Sequence, residues 1–330
     1  MKYMKLEDYR DFDEKKKFFH HETIESVEKF DSWLFTFESS EPALGLKFIY
    51  RGLNEAKYKN YTSSQRDWLT NEWSKVLNIS YVDYVDRLLG HIRKNSLLYD
   101  YFTSLGIAPN DILYLSFMQH YAMPSPLLDF TRDLRIALFF AIDGLKRQPS
   151  SAEIDNYFSI YAILPTNEYA PADSLFGDGI ESAKSMLNDF KKEHSDASIN
   201  DELLRNIDLL TKWKKTDGTK DGLHAIPLMY IPNPQDATPV VNTSGQRLYW
   251  SNPNIIAQKG CFIMNSSDTE VLEEVVVNKK FMKPIMCIDI HKSLAEYIKI
   301  KYLHIFNQDN IYPKFKKIVD QAYDDFKSGL

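Results

Sequence analysis

Apolar positions along the chain change their period several times, and each change marks an element. Across residues 5–30, Phe12, Phe18, Phe19, Ile24 and Val27 stand among mixed charges, a spacing that predicts one or two amphipathic helices. Residues 33–37 and 46–53 are short aromatic or β-branched runs separated by Glu-Pro-Ala-Leu-Gly, which predicts two strands. In the second, alternation turns Arg51 away from the face that holds Tyr50. From 64 to 122 the period lengthens: Trp68, Trp73, Val76 and Leu77, then Val82, Val85, Leu88, Leu89 and Ile92, recur at three- and four-residue steps. Residues 106–110 interrupt this pattern, and Asp111 can cap a third helix that ends near Tyr121. Two prolines in Ala122-Met123-Pro124-Ser125-Pro126 then enforce a stiff loop.

Beyond the loop, Thr131 can cap a helix carrying Leu134, Leu138, Ala141 and Leu145, with Asp133 in its first turn and Gly144 near its end. Ile136, Phe139, Phe140 and Ile142 make its other faces apolar too, so this helix is expected to be central and buried. A polar linker, 149–156, leads to a strand at 157–164. Residues 165–222 hold helical runs at 180–193 and 199–213 and a Lys- and Gly-rich loop, and read as an insertion or lid. Strands are expected at 225–231, 255–264 and 284–290, and helices at 291–304 and 312–327. No internal repeat is visible. The order predicts an α+β fold: a central mixed β-sheet with a buried helix and peripheral helices, preceded by a helical segment at 1–30.

Composition narrows the picture. The 330 residues are 44% hydrophobic and 26% charged, a balance that buries a core. A formal net charge of −6 provides no global field toward nucleic acid or anionic membrane. The Lys-rich stretches at 15–17 and 212–220 adjoin acidic residues and read as solvated faces. Cys261 and Cys287 lie in apolar runs without a CxxC or zinc-type spacing, so free buried thiols and no metal are expected. The first residues lack the apolar core of a signal peptide, and no run approaches the roughly 18 apolar residues of a membrane span. A cytoplasmic protein without a membrane partner is the expectation.

Two constellations carry chemistry. In Phe48-Ile49-Tyr50-Arg51-Gly52 an apolar strand ends by presenting a permanently charged planar fork, suited to phosphate or carboxylate, beside a glycine that lets a ligand approach the backbone. An edge arginine paired with a carboxylate is the structural alternative. In the run from Gln119 to Thr131, the groups of Gln119, His120, Tyr121, Ser125, Asp129 and Thr131 flank the proline loop and lead into the start of the buried helix, where free amides attract anions. A hydrogen-bonded core pair is the alternative for His120 and Tyr121, and capping for Asp129 and Thr131.

Together, Tyr50-Arg51-Gly52, then Gln-His-Tyr-x-x-Pro-x-x-Leu-Leu-Asp-Phe-Thr and the apolar helix around Ala137 to Ala141, resemble the FRG domain, named for its (Phe/Tyr)-Arg-Gly motif. Arg247, the segment from Asn254 to Phe262 with Gln258 and Gly260, and Ile311-Tyr312-Pro313 are similar to that family's later segments, so the resemblance spans roughly residues 30–325. The chain departs at Leu53, where relatives commonly have Gln; at Ala122, where they have Gly; and at Ser125-Pro126, where they have Thr-Arg. Arg132 or Arg135 would then have to supply the guanidinium that position 126 lacks.

The resemblance implies a bacterial protein of mobile-element or anti-phage context, and its layout is similar to ADP-ribosyltransferases. On that layout NAD is the substrate and no metal is needed. Arg51, with Tyr50 and Gly52, would hold pyrophosphate or ribose, with Gln119, Ser125 and Thr131 as further binding residues. His120 or Tyr121 would contact nicotinamide or ribose, and Gln258 would occupy the late-strand position where such transferases carry Glu. Asp129 could then supply the negative charge. The partners implied are a nucleotide small molecule, an acceptor that is protein or nucleic acid, and an antitoxin or other defence-system component. Two other readings stay open: a metal-independent nuclease using His120, Tyr121 and Arg51, and a non-catalytic nucleotide or partner sensor using the same cleft.

Overall fold

The computed structural model describes residues 6–43, 47–107, 109–145, 150–164, 170–171, 228–231, 252–278 and 285–314, with single positions 316, 320, 322 and 324 beyond. The strands are β1 (Phe19–Ile24), β2 (Ile49–Leu53), β3 (Leu127–Thr131), β4 (Tyr157–Ile163), β5 (Ala170–Pro171), β6 (Leu228–Ile231), β7 (Gly260–Asn265) and β8 (Ile285–His291). They form one mixed sheet of order β1-β8-β4-β2-β3-β7-β6-β5, with β1/β8 and β5/β6 parallel and the remaining pairs antiparallel. The helices are α1 (Phe12–Lys15), α2 (Val27–Ala43), α3 (Ser63–Thr70), α4 (Trp73–Leu77), α5 (Tyr81–Arg93), α6 (Ser96–Ser104), α7 (Asp111–His120), α8 (Leu134–Ile142), α9 (Pro253–Ala257), α10 (Leu272–Asn278), α11 (Ala295–Tyr302) and α12 (Gln308–Ile311). The α+β class and the buried helix α8 are as the pattern predicts. Among the described residues no helix is long and apolar enough to cross a membrane.

Three buried clusters meet on this sheet. On one face α8, α2 and α11 cover Tyr50, Phe158, Ile160 and Ile290. On the other, Tyr9, Phe19 and α10 cover Ile49, Phe130, Tyr161 and Cys287. Helices α3, α5, α6 and α7 enclose the third, which reaches the sheet through Leu127, Phe262 and Met264. Every residue of β4 is buried, and each large apolar side chain so enclosed contributes about 1.5–3 kcal/mol. Cys261 and Cys287 are buried free thiols, and burial pushes the Cys287 thiol well up.

Several elements differ from the sequence pattern. The helical segment expected over 1–30 holds the single-turn α1 and then strand β1, whose residues are partly exposed in alternation. Backbone pairing with β8 over six residues outweighs its polar character. Residues 33–37 belong to helix α2, not a strand. Phe30, Trp33 and Phe37 recur at helical spacing, and their rings pack in tilted pairs at 5.8 and 5.7 Å. Helix α7 is capped by Asn110, whose side chain accepts from Leu113 N, while Asp111 pairs with Arg93. The expected strand over 255–264 is α9 followed by β7, because Asn252 caps and Pro253 starts a helical turn. The insertion or lid at 165–222, apart from β5, and Arg247 lie outside the described residues.

The ladder between β2 and β3 consists of one residue pair, Tyr50↔Thr131. By contrast, β2 pairs with β4 over five residues and β3 with β7 over five. The sheet therefore parts along a central seam.

Candidate functional site

The seam opens into a cavity of about 400 Å³ lined by β2, β3, β7, the ends of α7 and α9, and Tyr312. Alternation places Tyr50 on the α8 face and Arg51 on the opposite one, beside its cross-strand partner Tyr161. Arg51 Nη1 donates to the Asp129 carbonyl at 2.8 Å, and Nε donates to Asn60 Oδ1 at 3.2 Å. The guanidinium thus spans the seam and takes up a β3 carbonyl that β2 leaves unpaired. Among the described residues Arg51 is in no ion pair, so the edge ion-pair alternative does not describe it. Burial draws the pKa of Arg51 down, with Arg66 acting in the same direction and Asp129 against it; arginine stays cationic regardless.

Gly52 answers to packing. A Cβ there would lie 2.0 Å from the Ala137 carbonyl and 2.9 Å from the Ala141 nitrogen. Helix α8 therefore sits on β2 at a distance only glycine permits, while Gly52 also lines the cavity.

Asp129 is the one exposed residue of β3. Gln119, in the last turn of α7, donates Nε2 to Asp129 Oδ2 at 2.6 Å, and Ser63 donates to Gln119 Oε1 at 3.3 Å. Next to Gln119, His120 faces Asn254 of α9, with its Nε2 3.0 Å from the Asn254 amide nitrogen. An amide nitrogen only donates, so His120 Nε2 accepts and the ring proton is on Nδ1. Burial holds the His120 pKa below the ordinary histidine value, while Asp129 opposes this; the ring is neutral at neutral pH. Phe140 and Tyr312, 6.2 Å apart edge to face, form an aromatic wall. Burial, then Asp143 and Asp129, push the Tyr312 phenol up.

Of the residues singled out in the sequence, Tyr50, Arg51, Gly52, Gln119, His120, Asp129, Thr131 and Gln258 line this one cavity. Two do not. Tyr121 is 61% exposed and packs on Phe117 and His120, because α7 ends and the chain reverses through Ala122 at φ 59. Ser125 is fully buried and laces the proline loop: its N donates to Ser63 Oγ at 2.9 Å and its Oγ donates to the Leu115 carbonyl at 3.3 Å. Its N is taken up by the Ser63 hydroxyl and its Oγ by backbone groups, and it does not reach the cavity.

Thr131 and Gln258 reach the cavity differently from the expectation. Thr131 ends β3, donating to the Gln258 carbonyl at 2.6 Å and accepting from Asp133 N at 3.1 Å, while Asp133 caps α8. Gln258 is the last residue of a helical turn, ahead of β7, and its amide donates to the Ile311 carbonyl at 3.1 Å. Neither Arg132 nor Arg135 lines the cavity; Arg135 is turned to Glu38 by paired bonds of 2.9 and 3.1 Å.

Sequence reasoning missed Asn60, Asn254 and Phe140 as parts of the wall and its support, and it missed the buried acid beneath. Glu273 accepts from Tyr9 Oη at 2.5 Å and from Asn60 N at 3.2 Å. Burial pushes its pKa up and these hydrogen bonds pull it down. A chain of contacts, Glu273 to Asn60 to Arg51, therefore supports the guanidinium from below. A polar residue ahead of a helical run, such as Asn60, was the only signal available.

No curated protein and no solved structure matches the chain. Residues 46–150, which hold β2, α3 to α8 and β3 and with them Arg51, Gln119, His120 and Asp129, match the family model of the FRG domain.

Proposed function

We propose that the seam cavity binds a phosphorylated nucleotide, NAD, and that the chain is an ADP-ribosyltransferase-like effector of a bacterial toxin or anti-phage defence system. The observation that carries the reading is the convergence on one cavity of a fixed guanidinium, a carboxylate, a neutral imidazole and an aromatic wall. Arg51 is held by Asn60 and the Asp129 carbonyl, which leaves further N–H groups of its fork for a phosphate oxygen. Phe140 and Tyr312 offer flat apolar surface to a base or nicotinamide ring.

In the transfer itself, the bond between ribose C1′ and the nicotinamide nitrogen breaks, and its electron pair leaves with nicotinamide. The ribose becomes oxocarbenium-like, and the acceptor's nucleophile forms the new bond to C1′ while losing its proton. Asp129 is the carboxylate placed to stabilise that positive charge, in the role that Gln258 cannot fill. His120, neutral and accepting at Nε2, can orient the ribose or take the acceptor's proton. Purified protein is expected to release nicotinamide from NAD, with or without cell extract, and Arg51→Ala to abolish release while the protein still unfolds cooperatively in urea, its midpoint lowered by the loss of the contacts to Asn60 and the Asp129 carbonyl. Absence of nicotinamide release under both conditions would remove the catalytic reading. Nucleotide binding without turnover would then favour the sensor, and cleavage of RNA the nuclease.

A further inference from the structure

We propose that Arg66 is a second anion-binding residue of the cleft, completing with Arg51 a pair of guanidiniums that holds the adjacent phosphates of a pyrophosphate-bearing nucleotide. The proposal rests on the nucleotide reading above and names what the ligand must carry. Its starting point is helix α3. A capping box between Thr62 and Gln65 fixes the first turn, and Ser63 and Arg66, three residues apart, share a face. That face abuts the cavity wall: Ser63 bonds Gln119 Oε1 at 3.3 Å, and Gln119 bonds Asp129 at 2.6 Å.

Arg66 therefore stands at the rim beside Asp129, outside the lining itself. One of its N–H groups donates to the Tyr61 carbonyl at 3.0 Å, which aims the side chain. Arg66 is exposed along its length while its guanidinium end is packed among neighbouring atoms, and among the described residues it is in no ion pair. Electrostatics agree with the placement: burial lowers the Arg66 pKa and Asp129 raises it, and Arg51 registers the repulsion of Arg66. Two mutually repelling cations thus stand beside Asp129, with Glu273 acting on Arg51 alone from beneath, and a doubly charged anion between the two forks would relieve their repulsion. A monophosphate satisfies one fork; a pyrophosphate can occupy both.

The test is calorimetric titration of AMP, ADP and ADP-ribose into wild type, Arg66→Ala, Arg66→Lys, Arg51→Ala and, as a charge control, Arg87→Ala. Wild type is expected to bind ADP and ADP-ribose more tightly than AMP. Arg66→Ala is expected to weaken both diphosphates by about tenfold or more, the scale of one charge-assisted contact, and AMP by less than about threefold. Arg66→Lys keeps the charge and the reach to Tyr61 and recovers part of the loss, and Arg87→Ala changes nothing. If Arg66→Ala leaves ADP-ribose affinity unchanged, or weakens AMP and ADP alike, Arg66 is not the second phosphate contact, while the nucleotide reading survives through Arg51→Ala. If wild type binds none of the three, the nucleotide reading falls and this proposal falls with it.

Discussion

Replacing Gly52 by alanine adds one methyl group at the place where β2 and α8 are closest. The new carbon would lie 2.0 Å from the Ala137 carbonyl oxygen, and contacts under 3.0 Å are essentially never seen for real Cβ atoms, so strand or helix must move by about 1 Å. The opposing atoms belong to helix backbone, so no rotamer change relieves the clash. Helix α8 cannot easily retreat, because Ile136, Ala137, Leu138 and Ala141 are at most 1% exposed. Overpacking a core costs typically 1–3 kcal/mol, and backbone against backbone places Gly52→Ala at about 3 kcal/mol or more, a sizeable part of a typical 5–15 kcal/mol stability. With urea slopes of roughly 1–3 kcal/mol/M, the unfolding midpoint is expected to fall by about 1 M or more. Gly90→Ala is the matched control: a Cβ there meets nothing within 4 Å, and alanine in helix α5 should add about 0.5–1 kcal/mol. Gly52→Ala unfolding at the wild-type midpoint would refute the packing account.

Three further outcomes follow from other features. Lys15→Met removes a buried cation whose Nζ bonds Asp289 at 2.7 Å, Ser159 at 3.0 Å and the Ala56 carbonyl at 3.0 Å. It is expected to cost about 3–5 kcal/mol in urea unfolding, because Asp289 stays charged inside, and adding Asp289→Asn should recover part of that. Ala122 has φ 59, a left-handed conformation that costs a non-glycine residue about 1–2 kcal/mol. Ala122→Gly should therefore raise stability by about 0.5–1 kcal/mol after glycine's own entropy is set against it, read as a higher urea midpoint. His120 has a folded pKa below 6.5, so unfolding takes up a proton between the two values. Its contribution to stability is complete above pH 6.5 and is lost as pH falls through the folded value, because burial disfavours the protonated ring. Proton NMR of the His120 ring should show titration below pH 6.5, and His120→Gln should flatten the stability profile there.

The interior of the fold was legible because burial and periodicity coincide there. Strands β2, β4 and β8 and helix α8 are apolar runs whose length and β-branched or small residues match their environment. Misreadings occurred where one signal masked another. Phe30, Trp33 and Phe37 are aromatic enough to suggest a strand, yet their spacing is helical. In β1, Phe19-His20-His21-Glu22-Thr23-Ile24 is polar because it is an edge strand with alternating exposure. Gln258 follows Ile255-Ile256-Ala257, an apolar run indistinguishable by period from a strand until Asn252 and Pro253 are seen to cap it. The site was legible to the extent that its residues share two motifs. Arg66, Asn60 and Asn254 were not, since a polar residue on a helix end or loop gives no hint of what it faces in space.

The single residue pair joining β2 to β3 gives the sheet the character of two plates joined at one rivet. Load applied across β2 and β3 would part the molecule there first, and amide exchange should show β4 and β8 protected as one block and β7 as another. Any molecule that grips Arg51 and Asp129 together bolts the plates, so filling the cleft should merge the two blocks into one cooperative unit even before any chemistry takes place.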